Sequence, residues 1–235
     1  MSCYALVVAA GSGTRMSAAR PKQFLSVGSV PILAITLLRI SRFAFIDGIV
    51  VAVPKNEIPF CEESVIRAFA IPKIVSVIQG GATRQESVFN GLHVLADKSP
   101  EHVVIHDGVR PLFSTEMFEA VVASLQNNDA VIPGLPVFET MKEIDNNHCV
   151  VATVDREKIR AIQTPQGFRF KKIWDAHMKL REAHTELTDD AMVMEFYGEK
   201  VKVIDGSRNN IKITTPDDLE YAEHIFEKHK ERFNL

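Results

Sequence analysis

The sequence predicts a doubly wound α/β fold built on a mostly parallel sheet. Six short runs are rich in Val and Ile and apolar at nearly every position, as expected for parallel strands buried on both faces. Candidate helices separate these runs, and this alternation is the pattern of consecutive βαβ units. The strands are expected at residues 4–9, 49–53, 74–78, 103–105, 130–132 and 201–204. The helices between them are expected at residues 31–43, 58–70, 84–95, 115–125 and 171–183.

The last helix is marked at its start. Thr215 is a suitable N-cap and Pro216 suits the first turn. Asp217 and Asp218 bring negative charge to the positive end of the helix dipole. These residues predict a helix and carry no chemistry of their own.

One segment departs from the alternation of strands and helices. Residues 137–144 and 149–154 look like two strands joined by the turn-forming stretch 145–148. An isolated hairpin is marginal in water, so its apolar side chains need a surface that covers them. Either the body of the domain or a second subunit could do so, and we favour the second subunit. We therefore expect one domain over residues 1–235, with a protruding β-hairpin arm at residues 137–157 that serves dimerisation.

Composition excludes several classes of protein. The 235 residues are 46% hydrophobic with a net charge of −3, which is ordinary for a globular chain and lacks the basic surplus of a nucleic-acid-binding domain. No apolar run reaches the roughly 18 residues that a membrane-spanning helix needs. Three widely spaced cysteines argue against a disulfide framework and a Cys-based zinc site. We expect a cytoplasmic protein of bacterial type; a plastid protein that has lost its transit peptide is the alternative.

A glycine-rich loop follows the first predicted strand. Gly11 and Gly13 would let the backbone approach a phosphate, and Arg15 and Lys22 supply two cations. Met16 stands where a dinucleotide-binding fingerprint needs its third glycine, and the Gly-Lys-Ser/Thr of a Walker loop is also missing. The loop therefore predicts a polyphosphate site of another kind. A plain tight turn with solvated cations is the alternative.

A second polar group follows the strand expected at residues 103–105. Asp107, at the carboxyl end of this strand, is a reasonable Mg²⁺ ligand, because Mg²⁺ needs only one or two carboxylates when phosphates and water complete its shell. Arg110 could bind a phosphate in bidentate fashion. In isolation, a structural Asp–Arg pair that closes a turn explains these residues equally well.

Three further groups have competing explanations. The backbone amides of residues 80–82 could read a base or a ribose, but Thr83 and Glu86 also fit a capping box. Residues 188–190 are best explained as a helix cap. Lys212 lies between two isoleucines in an extended segment, an odd position unless its ammonium meets an anion.

The spacing of the histidines along the sequence does not indicate a metal site. His177 and His184 are seven residues apart on one predicted helix, with no third ligand in view, and we expect them on a solvated face.

Phosphoryl or nucleotidyl transfer is the chemistry that remains, since positioning and charge neutralisation carry most of its catalysis. The absence of a recognisable general base favours a phosphate acceptor, which is already an anion at pH 7 because its second pKa is about 6.

Seven motifs, taken in order, resemble the family of 2-C-methyl-D-erythritol 4-phosphate cytidylyltransferases, and the resemblance covers essentially the whole chain. Each motif alone is weak, but the ordered set is highly specific. They are Ala-Ala-Gly-Ser-Gly-Thr-Arg-Met (9–16), Pro-Lys-Gln-Phe (21–24), Gly-Gly-Ala-Thr-Arg-Gln-Glu-Ser-Val (80–88), His-Asp-Gly-Val-Arg-Pro (106–111), Thr-Pro-Gln-Gly-Phe (164–168), Thr-Asp-Asp (188–190) and Asn-Ile-Lys-Ile-Thr (210–214).

The resemblance implies a nucleotidyltransferase-like variant of the Rossmann fold and an Mg²⁺-dependent reaction. CTP and 2-C-methyl-D-erythritol 4-phosphate would give a CDP-linked alcohol and pyrophosphate, in non-mevalonate isoprenoid synthesis. Arg15 and Lys22 would stabilise the charge that develops at the α-phosphate and on the departing pyrophosphate, and Asp107 would hold Mg²⁺. The residues implied to contact CTP are Ala9, Ala10, Gly11, Gly13, Gly81, Ala82, Ser87 and Gly108.

The resemblance also implies a homodimer with shared sites. Lys212 and Arg156 would position the acceptor phosphate, with Thr140, Arg110, Thr164 and Thr188 nearby. The arm would cross into the other subunit, so that Thr140 and Arg156 serve the neighbour's site. Glu139 stands where the family often has Asp, and Gly108-Val109 replaces the common Ala-Ala. Neither change removes a charge, so we expect activity to survive.

One alternative to this function is a related cytidylyltransferase, and two others belong to different classes of protein. A ribitol 5-phosphate cytidylyltransferase would share the fold and the nucleotide loops, but it tends to have Ala-Gly-Gly where this chain has Ala-Ala-Gly, and residues 154–158 look more like the methylerythritol enzymes. A catalytically silent nucleotide-binding homologue is expected to have lost at least one of the charged residues Arg15, Lys22, Asp107 and Lys212, and all four are present. A Rossmann oxidoreductase is rejected because of Met16.

Overall fold

The computed structural model describes residues 2–11, 20–183, 185 and 187–228. Its strands are β1 (Cys3–Val8), β2 (Ser26–Val27), β3 (Val30–Pro31), β4 (Gly48–Val53), β5 (Ile74–Gln79), β6 (His102–Asp107), β7 (Ala130–Pro136), β8 (Lys142–Ile144), β9 (Val150–Thr153), β10 (Arg160–Ile162), β11 (Gln166–Arg169) and β12 (Val201–Asp205). Its α-helices are α1 (Ile32–Ser41), α2 (Ile58–Phe60), α3 (Arg84–Ala96), α4 (Thr115–Ser124), α5 (Phe170–Ala183), α6 (Asp190–Phe196) and α7 (Pro216–Lys228). Short 3₁₀ turns lie at Lys22–Phe24, Lys55–Glu57 and Arg156–Lys158.

Eight strands form one twisted, mostly parallel sheet with the order β10-β7-β11-β6-β1-β4-β5 and with β12 beside β7. The strands β6, β1, β4 and β5 are parallel to one another, as β12 is to β7. The predicted α/β class and the six predicted strands are confirmed. Because β1 lies between two parallel partners, the carboxyl ends of β1, β4 and β6 meet at one edge, which is where open α/β sheets bind ligands.

Helices cover both faces of this sheet, as a doubly wound fold requires. Ala5 and Val7 of β1 pack into a core shared with α1 and α4. The intervening Leu6 points to the other face, into a core with α3, α5 and α6. Side chains alternate across a strand, so an apolar run with no polar position can bury both of its faces.

Two antiparallel strands were not predicted. β11 lies between β6 and β7 and is antiparallel to both, and β10 forms an antiparallel edge on β7. The sequence of β11 is only Gln-Gly-Phe-Arg, too short and too polar to register as a buried run. Gly167 fits there because a Cβ atom would lie 2.7 Å from a methyl carbon of Val121 on α4.

The second predicted helix, expected at residues 58–70, is not one regular α-helix. The short helix α2 contains Pro59 and is followed by a π-helix at Cys61–Arg67. The amides of Ala68 and Ile71 bond five residues back, to the carbonyl oxygens of Glu63 and Ile66. Apolar spacing alone does not distinguish this wider winding from an α-helix.

The hairpin arm is present, and its apolar side chains stay exposed over a large part of their surface within the described chain. β8 and β9 pair in antiparallel fashion, and every residue of both strands is exposed. Their turn is closed by the Asp145 carboxylate, which accepts hydrogen bonds from the amides of Asn147 and Cys149. The exposed apolar residues of the arm and its base are Phe138, Met141, Ile144, Val150, Val151 and Ile162. Within the described residues the body of the domain leaves these side chains exposed, and their covering by a second subunit stays a prediction.

The last helix begins as predicted. The Thr215 hydroxyl accepts a hydrogen bond from the amide of Asp218. In return, the Asp218 carboxylate accepts the amides of Thr214 and Thr215, each at 2.8 Å. Over the residues described, no helix combines the length and the apolar character that crossing a bilayer demands.

Candidate active site

A cleft of about 410 Å³ opens at the carboxyl ends of β1 and β6. Five chain segments meet in it: the end of β1, the 3₁₀ turn at Lys22–Phe24, the start of α3, the residues after β6 and the segment before α7. The lining residues are Val8, Ala9, Ala10, Gly11, Lys22, Gln23, Gly81, Ala82, Thr83, Arg84, Ser87, Asp107, Val109, Lys212 and Thr214. Nine residues predicted for the site are among them: Ala9, Ala10, Gly11, Lys22, Gly81, Ala82, Ser87, Asp107 and Lys212.

Asp107 is the last residue of β6, and three cations surround its carboxylate. The Lys212 ammonium lies 3.0 Å from Oδ2, the Arg110 Nε lies 3.3 Å from Oδ2, and the Arg84 Nε lies 3.3 Å from Oδ1. Burial by itself would raise the pKa of this carboxyl. The three cations outweigh burial and hold the pKa of Asp107 well below its usual range. The carboxylate therefore stays ionised at neutral pH.

Lys212 meets the anion that its position in the sequence requires. In the extended segment before α7, Ile213 is fully buried and its amide bonds the carbonyl of Val109. Since neighbouring side chains in an extended segment point to opposite sides, burying Ile213 turns Lys212 toward the cleft. Its ammonium then reaches Asp107. Both of the earlier explanations of Asp107 and Arg110 remain open, since an Asp–Arg pair closes the turn and the same carboxylate lines the cleft.

Lys22 also lines the cleft, from the 3₁₀ turn at Lys22–Phe24, and is only 9% exposed. The side chain of Gln23 donates a 2.6 Å hydrogen bond to the carbonyl of Ala9, which fastens this turn to the end of β1. Two residues predicted for the site, Gly13 and Arg15, lie outside the described residues.

The start of α3 supports the capping interpretation and also lines the cleft. The Thr83 hydroxyl accepts the amide of Glu86 at 3.1 Å. The amides of Gly81 and Ala82 bond the Ser87 hydroxyl at 3.0 Å and the Glu86 carboxylate at 2.7 Å. Any ligand that used these two amides would have to displace those side chains.

The remaining predicted residues lie behind or away from the cleft. Gly108 lies behind it, where a Cβ atom would come within 2.8 Å of the Ala9 side chain. Arg110 is engaged by Asp107 and by the carbonyl of Asn210, at 2.7 Å. Thr188 is exposed ahead of α6, and the cap of that helix is Asp189. Thr140 and Arg156 lie on the exposed arm, where Arg156 donates to the carbonyl of Phe138. Their contacts with a substrate stay predictions.

Thr164 is buried and supports Asp107 from behind. Burial lowers the pKa of His106 to about 4, so this ring is neutral near pH 7. Its Nε2 lies 3.0 Å from the carbonyl of Arg110 and must therefore carry the proton. Its Nδ1 then accepts from the Thr164 hydroxyl, whose oxygen accepts the amide of Asp107, each at 3.0 Å. This chain of hydrogen bonds fixes the backbone that carries the carboxylate.

The expected solvated histidine face is wrong for His177. That ring is 1% exposed and lies 3.5 Å from the Asp190 carboxylate, which is equally buried. Helix α6 packs against α5 and brings Asp190 to the ring, a contact that helical spacing cannot reveal. His184 lies outside the described residues.

Sequence reasoning missed Arg84 and Asp190. Arg84 reaches Asp107 with Nε and Asp190 with Nη1, the latter at 2.7 Å. A signal was present: Arg84 is the first residue of α3, where a positive charge opposes the helix dipole and needs another partner. Its partner Asp190 is 106 residues away and could not be inferred from the sequence.

The donor set of the cleft fits a Mg²⁺ ion that shares its shell with phosphates. Within residues 2–11, 20–183, 185 and 187–228, no group of three or more His, Cys, Asp or Glu side chains could form a complete metal cage. Among the lining residues just given, Asp107 is the one carboxylate, and it is ionised. One carboxylate is sufficient for Mg²⁺ when a triphosphate and water supply the other oxygens.

Comparisons with known proteins agree on one family. The sequence model described as 2-C-methyl-D-erythritol 4-phosphate cytidylyltransferase matches residues 3–228. A protein of that name from Geobacter metallireducens is 41% identical over 226 residues, 95% of this chain and 97% of its own length. Another from Syntrophotalea carbinolica is 42% identical, with 95% of each chain covered.

Solved structures are similar over the same length. The 4-diphosphocytidyl-2C-methyl-D-erythritol synthase of Anaerococcus prevotii superposes with a TM-score of 0.84 at 35% identity, covering 96% of both chains. The 2-C-methyl-D-erythritol 4-phosphate cytidylyltransferase of Thermus thermophilus gives 0.77 at 30% identity, covering 97% of this chain and all of the other. The fold and the order of its elements are thus those of a structurally known group.

Proposed function

The chain belongs to the 2-C-methyl-D-erythritol 4-phosphate cytidylyltransferase family, and on that premise we propose how its cleft works. The protein transfers CMP from CTP to the phosphate of 2-C-methyl-D-erythritol 4-phosphate and releases pyrophosphate, a step of isoprenoid synthesis. The observation that carries the assignment of the site is the buried Asp107 carboxylate ringed by Lys212, Arg84 and Arg110, in a cleft that Lys22 also lines.

The proposed reaction is an in-line displacement at the α-phosphorus of CTP. A phosphate oxygen of the acceptor forms the new P–O bond, the bond to the β-phosphate breaks, and pyrophosphate leaves with its electron pair. Lys22, with Arg15 in the preceding loop, would stabilise the charge that develops at the α-phosphate and on pyrophosphate. The near-complete burial of Lys22 strengthens such an interaction, because a charge acts over a lower dielectric there than in water.

The acceptor needs no general base, since its phosphate is an anion at neutral pH. The cleft is consistent with this. Asp107, the carboxylate of its described lining, is held ionised by three cations and is therefore a poor proton acceptor. Lys212, with Arg156 of the neighbouring arm, would bind and orient the acceptor phosphate. Thr140 and Thr188 would complete its surroundings.

Asp107 would also hold Mg²⁺ together with the triphosphate. The ion would supply positive charge to the phosphate oxygens. The protein's own contribution is to keep Asp107 ionised and fixed in place, through its three cationic neighbours and through Thr164.

We propose a homodimer in which the arm completes the neighbour's site. In this proposal, residues 1–235 form one cytidylyltransferase domain and residues 137–157 are its dimerisation arm. The exposed apolar side chains of the arm support it, with Val150 and Val151 each 62% exposed. Covering them with a second copy would remove apolar surface from water, a gain of roughly 25 cal/mol per Å². The bacterial relatives support a cytoplasmic location.

The experiment that tests this function measures pyrophosphate release from CTP and Mg²⁺ with two acceptors in parallel. We expect release with 2-C-methyl-D-erythritol 4-phosphate and none above background with ribitol 5-phosphate. Release with ribitol 5-phosphate alone would overturn the acceptor assignment. A folded protein that binds CTP and releases pyrophosphate with neither acceptor would be a silent homologue.

A further inference from the structure

We propose that Asp190 is a positioning residue, which acts through Arg84 on the orientation of the Asp107 carboxylate. The inference rests on the proposed function, because it assigns Asp190 a role in turnover at the same cleft. Asp190 does not line the cleft, and neither motif reasoning nor the family resemblance gave it a role.

The geometry places one guanidinium between two carboxylates. Arg84 gives Nη1 to Oδ2 of Asp190 at 2.7 Å and Nε to Oδ1 of Asp107 at 3.3 Å. The bond to Asp190 is the shorter one, and the Asp190 side chain is only 1% exposed, whereas that of Arg84 is 26% exposed. Asp190 is therefore the anchor, and Arg84, which lines the cleft, reaches Asp107 from it.

Further contacts surround the anchor and the segment that carries it. The His177 Nε2 lies 3.5 Å from Oδ1 of Asp190, the oxygen that Arg84 does not use. The side chain of Gln85, the neighbour of Arg84, bonds the carbonyl of Thr185 and the amide of Leu187. These bonds tie the start of α3 to the segment before α6, so the Arg84–Asp190 distance is set by two elements and not by one flexible pair.

Charge explains why this anchor matters to the reaction. Two carboxylates share Arg84, so its charge is balanced and it holds only one oxygen of Asp107, while Lys212 and Arg110 hold the other. Without Asp190, the guanidinium would be free to turn toward both oxygens of Asp107 or toward the triphosphate. The carboxylate would then lose its orientation, and the cleft would gain one net positive charge.

These two effects move different kinetic quantities. Misorientation of Asp107 lowers kcat in the presence of Mg²⁺, whereas an additional positive charge leaves the affinity for CTP, measured without Mg²⁺, unchanged or increases it. General damage to the fold would instead weaken CTP binding together with turnover. The separation of kcat from the Kd of CTP therefore distinguishes positioning from a merely structural role.

The test compares Asp190→Asn with Asp189→Asn, a matched substitution one residue away on the same helix. Asp189 caps α6 and does not touch Arg84, and Asn caps helices about as well as Asp. For each variant we would measure thermal stability, the Kd of CTP by calorimetry without Mg²⁺, and kcat with Mg²⁺. We expect Asp190→Asn to lower kcat by about 10- to 100-fold, as for a small misplacement of a reacting group, without raising the Kd of CTP. Asp189→Asn should keep kcat within about threefold of wild type, because the cap is retained.

A double-mutant cycle with Arg84→Gln shows whether Asp190 acts through Arg84. If it does, Asp190→Asn adds almost nothing to the loss of kcat in Arg84→Gln, since the two changes interrupt one pathway. Independent, multiplying effects would overturn the proposal, as would a folded Asp190→Asn protein with wild-type kcat or one with weakened CTP binding. Arg84→Gln alone leaves the buried Asp190 carboxylate without its cation and could fold poorly for that reason. The double variant avoids this, because it removes both charges of the pair. A wild-type protein that binds CTP but does not turn over would overturn the proposed function itself, and with it this role of Asp190.

Discussion

At the scale of single residues, the cleft depends on lysines placed where the chain leaves them little freedom. Lys212 is turned toward Asp107 because its neighbour Ile213 is buried. Lys22 is nearly buried in a turn that Gln23 fastens to Ala9. Charges held in this way lose little entropy when a phosphate binds, which is the condition for strong electrostatic stabilisation of a transition state.

Replacement of Lys22 tests this directly. We expect Lys22→Ala to lower kcat by about 100-fold or more, in line with the loss of a transition-state donor. Lys55→Ala is the control, because Lys55 lies exposed in a separate 3₁₀ turn outside the cleft and should leave kcat near the wild-type value. Steady-state pyrophosphate release measures both, and a nearly normal kcat for Lys22→Ala would remove the role assigned to it.

His106 predicts an acid-sensitive part of the stability. Burial lowers the pKa of His106 from 6.5 to about 4, so the unfolded chain binds more protons than the native one between these values. The native state is therefore favoured most above pH 6.5, and this contribution disappears as the pH falls through the folded value. Its size is on the order of 3 kcal/mol, by proton linkage.

Urea unfolding at pH 7, 6, 5 and 4 checks this expectation. His106→Gln should unfold more easily than wild type at pH 7, but its stability should fall less steeply toward pH 4. The exposed His224 provides the control, and His224→Gln should follow the wild-type profile. Parallel profiles for wild type and His106→Gln would show that His106 does not titrate in this window.

At the scale of elements, strands and helix starts bring the site together. Asp107 ends β6, Arg84 begins α3, and Asp190 begins α6. The segment with Lys212 is fastened to the first turn of α7, where Asp218 accepts two backbone amides and the Thr214 hydroxyl. A helix cap thus also fixes a functional segment.

Asp218→Ala should therefore have two effects. The lost cap and hydrogen bonds should cost about 1–2 kcal/mol of unfolding free energy. The loosened segment should raise the KM for the acceptor phosphate, because Lys212 lies six residues before Asp218 on the same fastened stretch. Asp217→Ala, an exposed change in the same helical turn, should cost less than about 1 kcal/mol and leave KM unchanged. Urea titrations give the unfolding free energy of both variants, and acceptor saturation curves give their KM. An unchanged KM in Asp218→Ala would show that the helix cap does not position Lys212.

At the scale of the whole molecule, the arm is the part of the fold whose strands are not packed against the body of a single chain. Thr140 and Arg156 are exposed on the arm and are not among the described residues that line the cleft, and the arm's apolar side chains remain exposed. A two-fold dimer would bury this surface and place each arm at the other subunit's site.

Mixing two inactive variants tests the shared site. Arg156→Ala subunits keep Lys22, and Lys22→Ala subunits keep the arm arginine, so each heterodimer has one intact composite site. After full exchange of an equal mixture, half of the dimers are mixed, and we expect about a quarter of wild-type activity. Lys22→Ala mixed with Lys212→Ala is the control: both residues serve the site of their own subunit, so no site is restored. Failure of the first mixture to recover, with subunit exchange verified, would reject the shared site.

Local sequence determined the architecture and most of the cleft. Apolar runs such as 49–53 are buried on both faces. Parallel strands between two layers of helices remove both faces from water, so the apolar pattern alone predicts the fold class. Parallel topology then brought strand ends together, which is why Gly11 and Asp107 could be assigned to one edge before any distance was known. Lys212 was identifiable because a charge between two buried positions needs a partner.

Only the tertiary structure decided the features that depend on contacts between distant segments. β11 was hidden because its four residues become a strand only between β6 and β7. His177 was misplaced, and the Arg84–Asp190 pair was not anticipated, because both depend on how the chain after α5 folds back against α3. Burial and charge pairing are properties of the surroundings and not of the residue, so spacing along the chain carries no record of them.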